Sequence, residues 1–165
     1  MTALHDEVTA WLYREAELLD DGHEQEWLES MVDSDVVYRL PLRQTLRRRD
    51  GAGFVDDAYH LNETYGSLKA RVDRNQSPSA WTEDPPPRTR RFVSNVRVTP
   101  SDDGLFSVRS NLLIYRTRAD EGVPALIAGE RRDVLRRAEN RLRLRQRLIL
   151  LDLSVLHLPN LAYLF

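Results

Sequence analysis

Residues 91–151 constrain the fold more than any other stretch of this chain. They read as four long β-strands separated by short polar turns. Residues 91–98 alternate, with Phe92, Ser94, Val96 and Val98 on one face and Arg91, Val93, Asn95 and Arg97 on the other. Ser101-Asp102-Asp103-Gly104 then makes a turn, because Asp bonds its own backbone and Gly takes positive φ without steric cost. Residues 105–118, 125–137 and 141–151 follow as further strands. Strands this long, joined this tightly, pair with one another as an antiparallel meander. One face of such a sheet must be covered, and the N-terminal half is what can cover it.

That half begins with Leu4, Val8, Trp11, Leu12, Leu18 and Leu19 at three- and four-residue steps, which predicts an amphipathic helix ended by Gly22. Trp27, Leu28, Met31 and Val32 give a short second helix. Asp33-Ser34-Asp35 breaks the pattern, and residues 36–40 read as a strand stopped by Pro41. Residues 47–51 form a loop. Phe54, Ala58, Leu61, Tyr65, Leu68 and Val72 lie along one stripe and predict a third helix. Pro78 and Pro85-Pro86-Pro87 hold the following segment extended, as an ordered loop. The expected layout is one α+β domain over residues 1–165. Residues 1–75 carry the helices and the first strand, 76–90 the Pro-rich loop, 91–157 the meander and 158–165 a C-terminal tail.

Composition narrows the function classes. A chain of 165 residues, 41% hydrophobic and 30% charged, can bury a core unaided. It has no cysteine, which excludes a disulfide framework, a thiolate-ligated zinc or iron–sulfur site and a cysteine nucleophile. The first residues lack the pattern of a signal peptide and no apolar run reaches membrane-spanning length, so a cytoplasmic location is expected. Residues 1–87 hold nine Lys+Arg against eighteen Asp+Glu, a net −9, and residues 88–165 carry +7. The two halves either neutralise each other or leave an Arg-rich sheet face for an acidic protein partner. No basic stretch is interleaved with aromatics in a nucleic-acid-binding module.

Candidate chemistry is sparse. The histidines His5, His23, His60 and His157 share no helical i,i+3 or i,i+4 spacing, and no P-loop, dinucleotide or nucleophile-elbow glycine pattern is present. Arg141, Arg143, Arg145 and Arg147 recur at period two, so all four are expected on one strand face. That face is either solvated and paired to groups such as Glu130 or Asp133, or an anchor for carboxylates of a neighbouring subunit. Trp81, beside Arg88, Arg90 and Arg91, either plugs the sheet or forms an interface hot spot. The tail over residues 158–165 is apolar enough to pack in the core or against a partner.

Several segments together resemble a known family. They are 13–20 (YREAELLD), 81–91 (WTEDPPPRTRR), Val93-Ser94-Asn95-Val96, Ser110-Asn111 with Tyr115-Arg116, and 129–136 (GERRDVLR). Leu150-Leu151-Asp152, and Asn160-Leu161 before Phe165, complete the set. In this order, over almost the whole chain, they resemble the small (β) subunit of aromatic-ring-hydroxylating dioxygenases, in a branch like that acting on biphenyl, cumene and polycyclic hydrocarbons. Leu142-Arg143-Leu144 departs from the pattern where an aromatic is expected, and the N-terminal lead is shorter.

The resemblance implies a nuclear-transport-factor-2-like (cystatin-like) cone, with N-terminal helices packed into a strongly curved, mostly antiparallel sheet. It implies a non-catalytic assembly subunit of an oxidoreductase, with three α and three β subunits and a β trimer. It also implies an α subunit carrying a Rieske [2Fe–2S] cluster and a mononuclear Fe(II), and a ferredoxin and reductase that contact the complex. This chain lacks the two Cys such a cluster needs. No catalytic, cofactor-binding or metal residue is expected here. Trp81, Arg88, Arg90, Arg91, Asn95, Arg116, Arg132 and Phe165 are expected at subunit interfaces. The competing reading is a free-standing dehydratase or isomerase of the same cone fold, with Tyr38, Asp57, His60 and Tyr65 as its acid–base candidates.

Overall fold

The computed structural model describes residues 2–77, 85–101, 103–118, 120, 122–155 and 164–165. Two helices open the chain, α1 (Ala3–Asp20) and α2 (Glu24–Met31). The Thr2 hydroxyl caps α1 by accepting from His5 N–H. At the other end Gly22, at φ +75°, lets the His23 and Gly22 amides return to the Leu18 and Leu19 carbonyls. Then come β1 (Val32–Arg43), β2 (Phe54–Glu63), α3 (Tyr65–Gln76), β3 (Arg88–Pro100), β4 (Leu105–Thr117), β5 (Ala125–Ala138) and β6 (Arg141–Leu151).

The strands form one six-stranded sheet in the order β2-β1-β6-β5-β4-β3. β3 to β6 are the expected antiparallel meander, and Gly104, at φ +70°, makes its first turn. β1 joins β6 in parallel, so the sheet is mixed. Val8, Leu12, Leu18, Trp27, Leu28 and Leu68 from the helices are fully or nearly fully buried against Val108, Ile114, Ile127 and Leu144 of the sheet. Gly129 is fixed by a close approach of β5 and β6, since a Cβ there would lie 2.5 Å from the Leu150 carbonyl oxygen.

Four expectations are corrected. The third helix does not begin at Phe54; residues 54–63 are strand β2, antiparallel to β1, and the helix starts after Thr64. Thr64 and Ser67 cap each other's backbone, so the helix has a definite start there. Ala58 and Leu61 fell on the helical stripe by coincidence of spacing; Leu61 is buried because it pairs with Leu40 across the ladder. Nor does Pro41 stop β1, which runs to Arg43 with register shifts on both sides of Pro41. Those shifts take the residue that lacks an N–H out of regular pairing.

The other two corrections are β-bulges. In β3 the pairing jumps between Ser94 and Arg97, and Asn95 sits at φ +54°. Arg91 and Val93 therefore share the inner face with Val96 and Val98, while Phe92 and Ser94 are turned outward. In β6 the pairing jumps between Leu144 and Gln146, which makes Arg145 the extra residue. Leu142 and Leu144 face inward before the bulge, and Arg147, Ile149 and Leu151 face inward after it. The four arginines do not share a face.

Candidate subunit-docking site

The bulge at Asn95 decides what the outer face of the sheet presents. Phe92 lies opposite Leu113 on β4, and Tyr115, two residues on along the same face, lies opposite Leu126 on β5. All four are solvent-exposed, at 55%, 37%, 40% and 58% respectively. Four large apolar side chains at adjoining ladder positions form a patch rather than scattered surface residues. Its rim is polar. Arg90 is the cross-strand neighbour of Tyr115 on one side, and on the other lie Asn111, Arg109, Glu130 and Arg132. Glu130 accepts from Arg109 at 3.0 Å and Arg132 at 2.6 Å, and these two guanidiniums hold its carboxyl below the ordinary carboxylate value. An apolar centre inside an Arg-rich rim is the anatomy of a protein interface.

The inner face carries the opposite chemistry. Arg147 is fully buried and uses all five guanidinium donors. Nε and Nη2 donate to Asp133 at 2.9 and 2.8 Å, Nη1 and Nη2 to Glu15 at 2.9 and 2.8 Å, and Nη1 also to the Phe165 main-chain oxygen at 2.5 Å. Arg131 adds a bond to Glu15 at 3.2 Å, and the Trp27 indole donates to the same carboxylate at 3.0 Å. Burial opposes the charge on Glu15, but Arg147 and Arg131 outweigh it and hold the carboxyl below its usual value. Burial likewise opposes Arg147, which Asp133 and Glu15 keep firmly protonated. The Tyr38 phenol is pushed up, chiefly by burial. Two cations matched by two anions make an ionic knot on the inner face of the sheet.

The acid–base candidates are not brought together. Tyr38 is committed to Phe165 inside the cone, whereas Asp57 is exposed at φ +58° on β2 and Tyr65 opens α3. His60 is half-buried, burial lowers its pKa, and it makes no hydrogen bond to a carboxylate among the described residues. Of the expected interface residues, Arg88, Arg90, Asn95 and Arg132 lie on the surface. Arg91 is turned inward, with its guanidinium 2.6 Å from Asp20, and Arg116 and Phe165 are buried. Trp81 lies outside the described residues. Sequence reasoning missed Phe92, Leu113, Tyr115 and Leu126. Their phase in β3 depends on a bulge whose only local signal is an Asn, a residue tolerant of positive φ.

Comparison with known proteins fits this picture. Residues 14–158 match the model of the ring hydroxylating beta subunit family. The chain is 34% identical over 169 residues to the benzene 1,2-dioxygenase subunit beta of Pseudomonas putida, covering 98% of this chain and 89% of that protein. This chain belongs to the ring-hydroxylating β-subunit family. The β subunit superposes on naphthalene 1,2-dioxygenase with a TM-score of 0.86 at 31% identity, over 97% of this chain and 84% of that one. A protein assigned as a scytalone dehydratase from Novosphingobium aromaticivorans shares the fold alone, with a TM-score of 0.66 at 12% identity over 90% of this chain and 83% of that one. The architecture is the nuclear-transport-factor-2-like cone, and the chain is the β subunit of an oxidoreductase complex with an α subunit as its partner. No group of three or more His, Asp or Glu side chains among the described residues is placed to hold a metal ion, and the chain has no cysteine. The chain lacks the two cysteines a Rieske cluster needs, and no group among the described residues fits a mononuclear iron. Among the described residues no helix is long and apolar enough to cross a membrane.

Proposed function

We propose that this β subunit holds a dioxygenase complex together without performing its chemistry, docking neighbouring subunits on the outer face of β3, β4 and β5. The observation that carries this reading is the exposed Phe92–Leu113–Tyr115–Leu126 patch within its Arg rim. The ionic knot supports it from the other side, because its two buried carboxylates, Glu15 and Asp133, are committed to Arg147 and Arg131. The complex we infer has three α and three β subunits built around a β trimer, in the cytoplasm. In it the α subunit supplies a Rieske [2Fe–2S] cluster and a mononuclear iron, and the product is a dihydroxylated aromatic hydrocarbon. The Arg88, Arg90, Asn95 and Arg132 positions then belong to the rim of the docking face, where single substitutions weaken assembly modestly.

The test is a titration of the α subunit with wild-type and Phe92→Asp β subunit, following complex mass, turnover and product ratio together. Loss of full-size complex with the variant, at unchanged product ratio in whatever complex forms, supports the reading. Full-size complex with altered products would place this chain at the active site and overturn it.

A further inference from the structure

Two surfaces of this subunit carry opposite charge around an apolar centre. On the outer face of the sheet, exposed Arg88, Arg90, Arg97, Arg109 and Arg132 lie around the apolar patch, with Glu130 as the carboxylate among them. The bulge at Asn95 opens a cleft at the edge of that patch, lined in part by Arg97, Arg109 and Glu130. The helical layer is the reverse. Arg14 is the one Lys or Arg in residues 1–31, against nine Asp and Glu. Asp6, Ala10, Tyr13 and Glu17 are exposed and recur at three- and four-residue steps, so they form one stripe of α1. Arg14 ties this stripe to α2, donating to Glu17 at 2.6 Å and to Glu26 at 3.0 Å. Tyr13 is the large exposed side chain in the middle of the stripe.

The two surfaces adjoin along β3. His5 Nε2 lies 3.1 Å from the Val96 oxygen, and the Asp20 carboxylate accepts from the Arg91 N–H at 2.9 Å, which pins α1 to that strand. Asp6, Ala10 and Tyr13 line one wall of a groove whose other wall is Ser94, Asn95 and Val96. Two copies meeting sheet to sheet would set the Arg rims against each other. A copy meeting the helix stripe of its neighbour instead sets arginines against carboxylates and an aromatic ring against the patch. We propose that, within the complex, the outer sheet face of one β subunit docks on the acidic α1–α2 stripe of a second β subunit. Tyr13 then enters the Phe92–Leu113–Tyr115–Leu126 patch, and Asp6, Glu17 and Glu26 face the Arg rim. Each copy gives its sheet face to one neighbour and its stripe to another, the head-to-tail contact from which a ring closes. The inference rests on the docking role of the outer face and makes its occupant a second copy of this chain.

The experiment uses complexes of the α subunit with β subunits that each carry one thiol, unique in a chain with no cysteine. Leu113→Cys puts the thiol in the patch, and Tyr13→Cys puts it on the helix stripe. The two β variants are mixed in equal amounts with α, full-size complex is isolated, and a flexible bis-maleimide is added. The expected product is a covalent β–β pair holding one chain of each variant, and little β–β product when either variant is used alone. No such pair in full-size complex, a pair formed equally well by Leu113→Cys alone, or Leu113→Cys linked to α instead would overturn the proposal. Should a cysteine variant fail to assemble, the charges decide. Arg97→Glu and Glu17→Arg should each weaken assembly up to about fivefold at low salt, and the chain carrying both should recover it. A double variant no better than the single ones would overturn the proposal. Phe92→Asp separates the two readings. If full-size complex survives that substitution, the docking role itself fails. If complex is lost with Phe92→Asp but neither the mixed pair nor the charge rescue is seen, only the second β subunit as occupant fails.

Discussion

β3 and β6 solve the same problem with opposite results. Each is a long strand of alternating polar and apolar residues, and each carries one bulge that reverses its alternation midway. In β3 the reversal puts Phe92 outside, and in β6 it puts Arg147 inside. One bulge thus creates an apolar patch where water should be, and the other an ionic knot where a core should be. Neither arrangement is favourable for a strand in isolation. The knot is tolerable because every donor of Arg147 is satisfied. The patch is tolerable when another protein covers it. The difference separates what holds the chain together from what holds the complex together.

Arg147→Met should break the inner arrangement with the largest effect. It leaves Glu15 and Asp133 buried without their main counter-charge, at a cost of about 3–5 kcal/mol in denaturant unfolding. Acid should mimic it. The Glu15 carboxyl is depressed in the folded protein, so its contribution is complete above the unfolded value of 4.5 and is lost as pH falls through and below that value. Unfolding midpoints measured across that range should drop steeply, and a flat profile would contradict the assignment.

Phe92→Asp should break the outer arrangement instead. Stability of the isolated chain should change by no more than about 0.5 kcal/mol, whereas subunit association should weaken by about 2 kcal/mol or more. Equilibrium unfolding and sedimentation of the same preparation separate the two. The β3 bulge itself is sharpened by Asn95→Val, since a β-branched residue resists positive φ. That variant should lose about 1–2 kcal/mol, while Asn95→Gly should be close to neutral.

The smallest effect on assembly, and the finest discrimination, comes from comparing two neighbouring arginines. Arg90→Glu on the rim should weaken assembly by about 0–1 kcal/mol and leave folding alone. Arg91→Glu should instead destabilise the fold, because its guanidinium bonds Asp20 and the Leu164 oxygen beneath the surface. Thermal melts and association assays on the pair should give opposite patterns.

These contrasts also show where a sequence can be read and where it cannot. The meander was legible because long strands separated by short polar turns leave few other pairings. α1 and α2 were legible from their apolar stripes and Gly22. The acidic first half and basic second half do neutralise each other in good part, through pairs such as Glu7–Arg137, Asp33–Arg136 and Asp20–Arg91. The strand at residues 54–63 was not legible, because at that length apolar spacing suits a helix equally well. The two bulges were hidden for a different reason. One extra residue inverts every side chain beyond it, and the pairing that forces the insertion lies on another strand. The docking patch depends on the first bulge and the ionic knot on the second. Family motifs could be recognised in the sequence while the faces they present could not.

The most direct test of the central claim is hydroxyl-radical footprinting of the β subunit alone and in complex with its α subunit. Oxidation of Phe92, Tyr115 and Leu126 should fall sharply on assembly, while Leu46, 46% exposed after β1 on the far side of the sheet, serves as the reference that should not change. Equal oxidation of the three patch residues in the free and assembled states would contradict the account.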